Sequence, residues 1–190
     1  KQMKNLTELE IIESVKKGNH GDFSLLIDIY KDRAFTLLKK MLKNEMDAEE
    51  SLQDSFLKAF NSLAGFRNDS KFSTWFYRIV YNTALSMISS KKRKIQMEMS
   101  SVEDHLDLGA ADNEIYAKSE NSNEYMLKIV DQLPVRNALV IILFYIDSLS
   151  LNEISKILNI SLVNTKVLLH RSRNELRELI IRHSYQEELL

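Results

Sequence analysis

The chain has 190 residues, of which 44% are hydrophobic, and its formal net charge is -1. This length allows one large domain or two small ones, and its longest apolar run, Ala138 to Ile146, is too short for a membrane span. Cysteine is absent, which excludes disulfides, thiolate metal sites and cysteine nucleophiles. The first ten residues are charged, so we expect no signal peptide. Four glycines and one proline give too few tight turns for a β-rich protein, so the predicted fold class is all-α.

Helical periodicity organises the first half of the chain. Thr7 and Glu10 form a capping-box pattern, and Gly18 predicts the end of a short first helix. A second helix follows from Asp22. A second capping-box pattern, Asp47 with Glu50, predicts that a third helix begins at Asp47.

A long helix is predicted after the loop at residues 66–70. Its apolar stripe includes Phe72, Phe76 and Ile79, and it ends in the basic block Lys91, Lys92, Arg93 and Lys94. Tyr77 and Tyr81 are predicted to point away from that stripe. Aromatic side chains interleaved with cations suit single-stranded nucleic acid, because bases stack on the rings and cations hold the backbone.

Acidic and small residues accumulate from about residue 95 to residue 122, which predicts a flexible acidic linker. A transient helix is expected within it, near Glu114 to Lys118. The predicted domains are therefore residues 1–94 and 123–190, both helical. The segregated charge predicts two polyanion-facing surfaces separated by an anionic segment.

A helix-turn-helix is predicted near the C-terminus. Ser150 and Glu153 form a capping-box pattern for its first helix, Asn159 occupies a turn position that favours left-handed backbone, and Ser161 is the expected N-cap of the second helix. Pro134 is predicted in the first turn of an earlier helix. The second helix of the motif presents basic residues to DNA: Lys166, His170, Arg171 and Arg173. A solvated basic helix in a bundle is the alternative.

Two segments together resemble the extracytoplasmic-function (ECF) sigma factors. Residues 47–94, which include DAEESLQDSF and FSTWFYRIVYN, resemble their conserved region two, and residues 133–179, which include LNEISKILNIS, resemble region four. The resemblance covers both predicted domains in the expected order. It implies a non-enzymatic cytoplasmic factor that binds core RNA polymerase and directs it to promoters, with no cofactor, metal or small-molecule substrate.

The resemblance also implies roles for individual residues. The third helix would dock on the clamp helices of the polymerase through Asp47, Glu50, Gln53, Asp54, Phe56 and Lys58, while the C-terminal domain would reach the flap. The 66–73 loop and the long helix would melt and read the minus-ten element through Arg67, Asn68, Lys71, Trp75, Tyr77, Arg78, Tyr81 and Asn82. Lys91 to Lys94 would hold adjacent phosphates. Lys166, His170, Arg171 and Arg173 would contact the minus-thirty-five element.

The second helix of the helix-turn-helix departs from the family pattern. Leu162, Val163, Val167 and Leu168 stand where small, polar or basic residues are usual. The upstream contact is then either weaker or made to thymine methyl groups. A third interpretation is that this helix mainly serves a protein partner, such as an anti-sigma factor.

Two function classes compete with the sigma-factor interpretation. A helix-turn-helix regulator that binds duplex DNA without polymerase would leave the aromatic and basic residues before Ile95 without a role. A hydrolase would need more than the carboxylates of Glu49, Glu50 and Asp54, because no histidine is in register with them and no glycine-rich loop accompanies them.

Overall fold

The computed structural model describes residues 6–100 and 122–188, and within these ranges it contains helices and turns without a strand. Eight α-helices follow one another along the described chain: α1 (Glu8–Lys16), α2 (Phe23–Leu42), α3 (Glu45–Ser62), α4 (Phe72–Ser100), α5 (Ser122–Gln132), α6 (Val135–Ile141), α7 (Leu151–Leu158) and α8 (Leu162–Glu188). The all-α prediction is confirmed. No described helix is both long and apolar enough to cross a membrane.

Side-chain caps define the starts of α1, α3, α7 and α8. The capping boxes of Thr7 with Glu10 and of Ser150 with Glu153 are both formed. The predicted start of the third helix at Asp47 is wrong, because the Asn44 side chain accepts a hydrogen bond from the Asp47 backbone and the helix begins at Glu45. Pro134 is the N-cap residue of α6 rather than a residue of its first turn.

Helices α1 to α4 form the first lobe, whose core is rich in aromatic rings. Phe76 is completely buried, and its ring stacks on Phe56 at 4.8 Å and lies parallel to Phe72 at 5.9 Å between centroids. Burial of each such side chain stabilises the fold by roughly 1.5–3 kcal/mol. The prediction that Tyr77 and Tyr81 point away from the core face is wrong, because both are buried.

Helices α5 to α8 form the second lobe, which contains the predicted helix-turn-helix. Asn159 ends α7 in the left-handed conformation, at φ 53° and ψ 49°. The Ser161 hydroxyl accepts a hydrogen bond from the Asn164 backbone at 3.1 Å and so caps α8. Before α7, the chain leaves α6 through a π-helical turn, Ile142–Ile146. The helix-turn-helix is therefore formed as the sequence predicts.

The two lobes are in contact. Helix α7 packs on α4, and α6 packs on α2. Polar side chains join them: Lys71 Nζ lies 3.1 Å from Glu153 Oε1, and Tyr77 donates to Asp147 Oδ1 at 2.6 Å. The buried Lys40 side chain bonds to Asp131, with Nζ and Oδ1 3.2 Å apart. The first-lobe surface that faces α7 is therefore covered by the second lobe.

The predicted linker lies largely outside the described residues. Residues 95–100 continue α4, and the structure resumes at α5. Residues 101–121, with the transient helix expected near Glu114 to Lys118, are not described. The boundaries proposed at residues 94 and 123 stay a prediction.

Candidate functional site

Helix α3 carries an exposed stripe along its outer side. Glu50 and Gln53 lie in the middle of this stripe, and Met46 and Leu57 extend it at either end with exposed apolar side chains. Sequence reasoning missed Met46 and Leu57, although their spacing from Glu50 and Gln53 follows one helical face. The prediction that Phe56 lies on the docking surface is wrong, because its ring is buried in the core against Phe76. Phe56 therefore supports the stripe from beneath.

One ion pair and one hydrogen bond join charged side chains of α3 to α4. Asp47, half-buried, pairs with Lys91 of α4. Lys58 lies 3.3 Å from Asp54 and also donates to the Thr83 hydroxyl at 3.2 Å. Lys91 is therefore paired with α3 although its side chain is exposed, and Lys92, Arg93 and Lys94 that follow it are exposed as well.

The loop before α4 forms a cleft of about 150 Å³. It is lined by Gly65, Phe66, Arg67, Asp69, Ser70 and Trp75. The rings of Phe66 and Trp75 lie 5.0 Å apart, and Lys16 anchors the loop by donating to the Phe66 carbonyl oxygen at 2.7 Å. A cavity of about this volume can hold a benzene-sized ring. The cleft therefore has room for one small planar ring beside Trp75, with Arg67 in its lining.

Asn68 shapes the tip of this loop. It adopts a positive φ of 60°, and its side chain is exposed beside Arg67. Asparagine tolerates this left-handed backbone better than most residues. The loop therefore turns at Asn68 and leaves both side chains free of the lobe's core.

The predicted reading residues of α4 divide into two groups. Arg78 and Asn82 are exposed. Tyr77 and Lys71 are engaged with the second lobe, and the exposed fraction of Tyr77 is only 1%. Tyr81 is also buried, so the part of the α4 face that is open to solvent is smaller than the sequence predicts.

Asp147 and Glu153 are the second-lobe acids that meet α4, and sequence reasoning did not select either. The Asp147 side chain is 2% exposed, and its other neighbour is Arg33, with Nη1 3.8 Å from Oδ1. Burial raises the pKa of the Asp147 carboxyl above its ordinary value, although the Tyr77 hydroxyl and the Arg33 cation act in the opposite direction. Burial and the neighbouring Asp147 raise the pKa of Tyr77, so that its hydroxyl stays protonated and donates.

Glu153 has the opposite protonation behaviour. Partial burial acts to raise its pKa, but hydrogen bonds from Ser150 and Lys71 outweigh burial and lower the pKa to about 2. Glu153 therefore remains ionised and holds the α7 N-terminus and Lys71 together. The side-chain hydroxyl of Thr74 adds a contact to the same carboxylate at 3.3 Å.

On α8, the predicted DNA contacts also divide. Lys166, His170 and Arg171 are exposed on α8. Arg173 is held within the lobe instead, because its Nε donates to the Tyr145 hydroxyl at 2.7 Å and its guanidinium lies 5.3 Å from the Phe144 ring centroid. Arg173 is thus engaged by aromatic partners beside the π-helical turn although it is exposed, and its assignment to DNA stays a prediction.

Comparisons with known proteins agree with this geometry. Residues 26–94 match the Sigma-70 region 2 family model, and residues 123–176 match the Sigma-70 region 4 model. The ECF RNA polymerase sigma factor SigW of Bacillus subtilis is 35% identical over 175 residues, which cover 88% of this chain and 93% of the relative. The ECF RNA polymerase sigma-E factor of Escherichia coli K12 is 29% identical over 93% of this chain and 98% of its own length.

Solved structures show the same fold. CnrH, in complex with the cytosolic domain of CnrY, superposes with a TM-score of 0.61 at 20% identity and covers 90% of this chain and 96% of its own. The sigma factor RpoE of Bartonella quintana, in complex with the anti-sigma factor NepR, superposes with a TM-score of 0.63 at 21% identity, over 84% of this chain and 96% of its own. With both sigma regions matched in order and a relative aligned over nearly its whole length, the chain belongs to the ECF sigma factors, which direct RNA polymerase to promoters.

Proposed function

We propose that the loop cleft of the first lobe captures one unstacked base of the promoter while α3 holds the polymerase. The observation that carries this proposal is the cleft of about 150 Å³ between the loop and Trp75. Unstacking a base costs a few kcal/mol, which contacts in such a pocket offset. Arg67 and Asn68, both exposed at the loop tip, supply polar groups for the base or its phosphate.

The α3 stripe is assigned to core polymerase. Its Glu50 and Gln53 side chains offer acceptors, while Met46 and Leu57 offer apolar surface of the kind that is removed from water when proteins associate. Asp54 and Lys58 border the stripe as an ion pair. This combination of an apolar and an acidic strip suits a basic protein surface better than it suits DNA, because acidic side chains repel phosphates.

The basic residues are assigned to phosphates on both sides of the melted segment. Lys92, Arg93 and Lys94 extend from α4 as exposed cations, and Arg78 and Asn82 lie earlier on the same helix. On the second lobe, the exposed residues Lys166, His170 and Arg171 are proposed to meet the upstream element in the major groove. Binding and positioning account for the whole activity, so we propose no covalent chemistry.

An anti-sigma factor is the proposed regulatory partner. The Bartonella RpoE was solved in complex with the anti-sigma factor NepR, and CnrH in complex with the cytosolic domain of CnrY, and both share this fold. We place the protein in the cytoplasm, where RNA polymerase and promoter DNA are found.

Reconstitution with core polymerase tests the proposal. The full chain should be retained by immobilised core and should produce promoter-directed transcripts in vitro. The triple variant K92A/R93A/K94A should retain core binding and lose most open-complex formation, and the salt slope of promoter binding should fall by about one unit per cation removed. Lys91 is left in place because it pairs with Asp47 on α3.

The matched control is K17A/K43A, which removes exposed cations from loops of the first lobe that lie outside the proposed DNA surface. It should leave both activities unchanged. Failure of the wild-type chain to bind core, or loss of core binding in the triple variant, would contradict the assignment.

A further inference from the structure

Helix α8 presents an exposed apolar pair where a solvated helix would carry polar residues. Val163 is 68% exposed and Val167 is 44% exposed. Valine is β-branched and less favourable than lysine, glutamate or alanine in an exposed helix. The pair therefore costs helix stability and leaves apolar surface in water, and the packing of the described lobe does not require it.

The position of the pair relative to the cations identifies its surroundings. At 3.6 residues per turn, Val163, Val167 and His170 lie within about 60° of one another around the α8 axis. Lys166 borders this strip on one side and Arg171 on the other, and all five side chains are exposed. The buried residues Thr165, Leu169 and Ser172 lie on the opposite side. The strip is thus an apolar centre between two cationic edges.

We propose that Val163 and Val167 read thymine methyl groups in the floor of the major groove, while Lys166 and Arg171 hold phosphates on its two walls. This inference rests on the proposed upstream role of the second lobe and adds the chemical basis of its specificity. The major groove is about 12 Å wide and accepts one helix, and the thymine 5-methyl is the one apolar group that distinguishes the bases there.

Charge favours DNA over a protein partner as the occupant of this strip. The exposed side chains at its edges are cations, and the nearest acid on the helix, Glu175, is half-buried and bonded to Asn137 at 2.5 Å. A duplex complements such a surface along its entire length because each wall of the groove is a row of phosphates. The valines lie in the first two turns of α8, which is the part of a recognition helix that contacts base edges.

Deoxyuridine substitution tests the inference, because deoxyuridine differs from thymidine only by the missing methyl group. Holoenzyme assembled from the full chain and core polymerase first selects its preferred fragment from a library of random duplexes. Each thymine upstream of the melted segment is then replaced in turn by deoxyuridine. At one or two positions we expect about a fourfold loss of affinity, as for the burial of one methyl-sized group.

Variants of the valines assign the effect to them. V163S and V167S should each bind thymine and deoxyuridine fragments equally at one of those positions. The matched control I181S removes a side chain of similar exposure, 48%, from a distant turn of the same helix, and it should keep the wild-type discrimination.

The outcomes separate this inference from the function it rests on. Absence of core binding or of promoter-directed transcripts would overturn the proposed function. Normal transcription with equal affinity for thymine and deoxyuridine at every upstream position would overturn the inference alone. So would unchanged discrimination in both valine variants, or an effect of these variants on binding to a protein partner and not on DNA.

Discussion

Helices α4 and α8 are both proposed to bind DNA, but they differ in how much of the proposed DNA-binding face is open to solvent. The recognition face of α8 is open to solvent along its first turns. The first turns of α4 are covered by α7, and two donors there are engaged: Lys71, just before the helix, with Glu153, and Tyr77 with Asp147. Carboxylates of the second lobe occupy groups that a promoter would otherwise meet. Access of DNA to the first lobe therefore depends on how the two lobes are arranged, whereas access to the second lobe does not.

The largest effect is expected from a substitution in the aromatic core of the first lobe. Phe76 is fully buried among Tyr30, Phe56 and Phe72, so F76A should lower the free energy of unfolding by about 3–5 kcal/mol. Urea unfolding followed by far-UV circular dichroism and by the fluorescence of the single tryptophan, Trp75, measures this loss. Because α7 packs on α4, both signals should shift together.

The second lobe provides the control for this experiment. Leu143 is fully buried there, and L143A should move the Trp75 transition as well, although it lies outside the first lobe. A shift confined to the circular dichroism signal would show that the lobes unfold independently.

Removing the Tyr77 hydroxyl should weaken the contact between the two lobes without disturbing the core of either lobe. Y77F leaves the buried Asp147 without its 2.6 Å donor, which should weaken the contact between the lobes by about 1–3 kcal/mol. Because the chain has no cysteine, dyes on N61C and K156C can report the distance between the lobes by energy transfer. Lower transfer efficiency is expected in Y77F.

Y145F is the matched control for the hydroxyl. It also removes a tyrosine hydroxyl, but one whose partner, Arg173, lies within the second lobe. Equal transfer efficiency in Y77F and wild type would show that the Asp147 contact does not hold the lobes together.

A smaller effect is expected from pH. The pKa of Asp147 is raised in the closed arrangement, so that arrangement holds the protonated carboxyl more tightly and gains stability as the pH falls through the raised pKa. Because the pKa of Glu153 is lowered to about 2, its carboxylate stays ionised at every pH above the ordinary value of 4.5. It therefore does not oppose this change. Energy transfer should therefore rise as the pH falls from neutral toward 4.5, the ordinary pKa of Glu153.

D147N should abolish this response, because its amide does not titrate. The same response in D147N and wild type would assign it to another group.

The smallest expected effect distinguishes two arginines of α8, Arg171 and Arg173. R171A should reduce the salt slope of promoter binding by about one unit, because Arg171 is free to meet a phosphate. R173A should leave that slope nearly unchanged, because Arg173 is held by Tyr145 and Phe144. Titration of holoenzyme with a promoter fragment at several salt concentrations measures both slopes. Equal losses would show that Arg173 leaves its aromatic partners to bind DNA.

Local features of the fold could be predicted from the sequence because they depend on neighbouring residues. The caps at Thr7 and Ser150 and the left-handed turn at Asn159 each involve side chains within four positions of one another. The start of α3 was misplaced because Asn44 and Asp47 both suit an N-cap, and only the backbone conformation distinguishes them.

Contacts between distant residues were not accessible in the same way. Tyr77 is buried because Asp147, seventy positions later, meets its hydroxyl, and no periodicity within α4 contains that information. The aromatic partners of Arg173, Phe144 and Tyr145, were missed for a similar reason, since the sequence of a basic helix gives no sign of contacts made by its cations. Among the site residues, those whose environment is set by their own helix were therefore predicted best.

The sigma-factor resemblance implies that Asp47 contacts the polymerase and that Lys91 contacts a phosphate. With these roles, the ion pair between the two side chains would couple polymerase binding to DNA binding thermodynamically. In the free protein each charge neutralises the other, so neither is fully available to its external partner. A polymerase group that takes Asp47 releases Lys91 toward a phosphate, and by linkage a phosphate that takes Lys91 releases Asp47 by the same free energy. This single pair thus favours promoter engagement by the assembled holoenzyme over engagement by the free subunit.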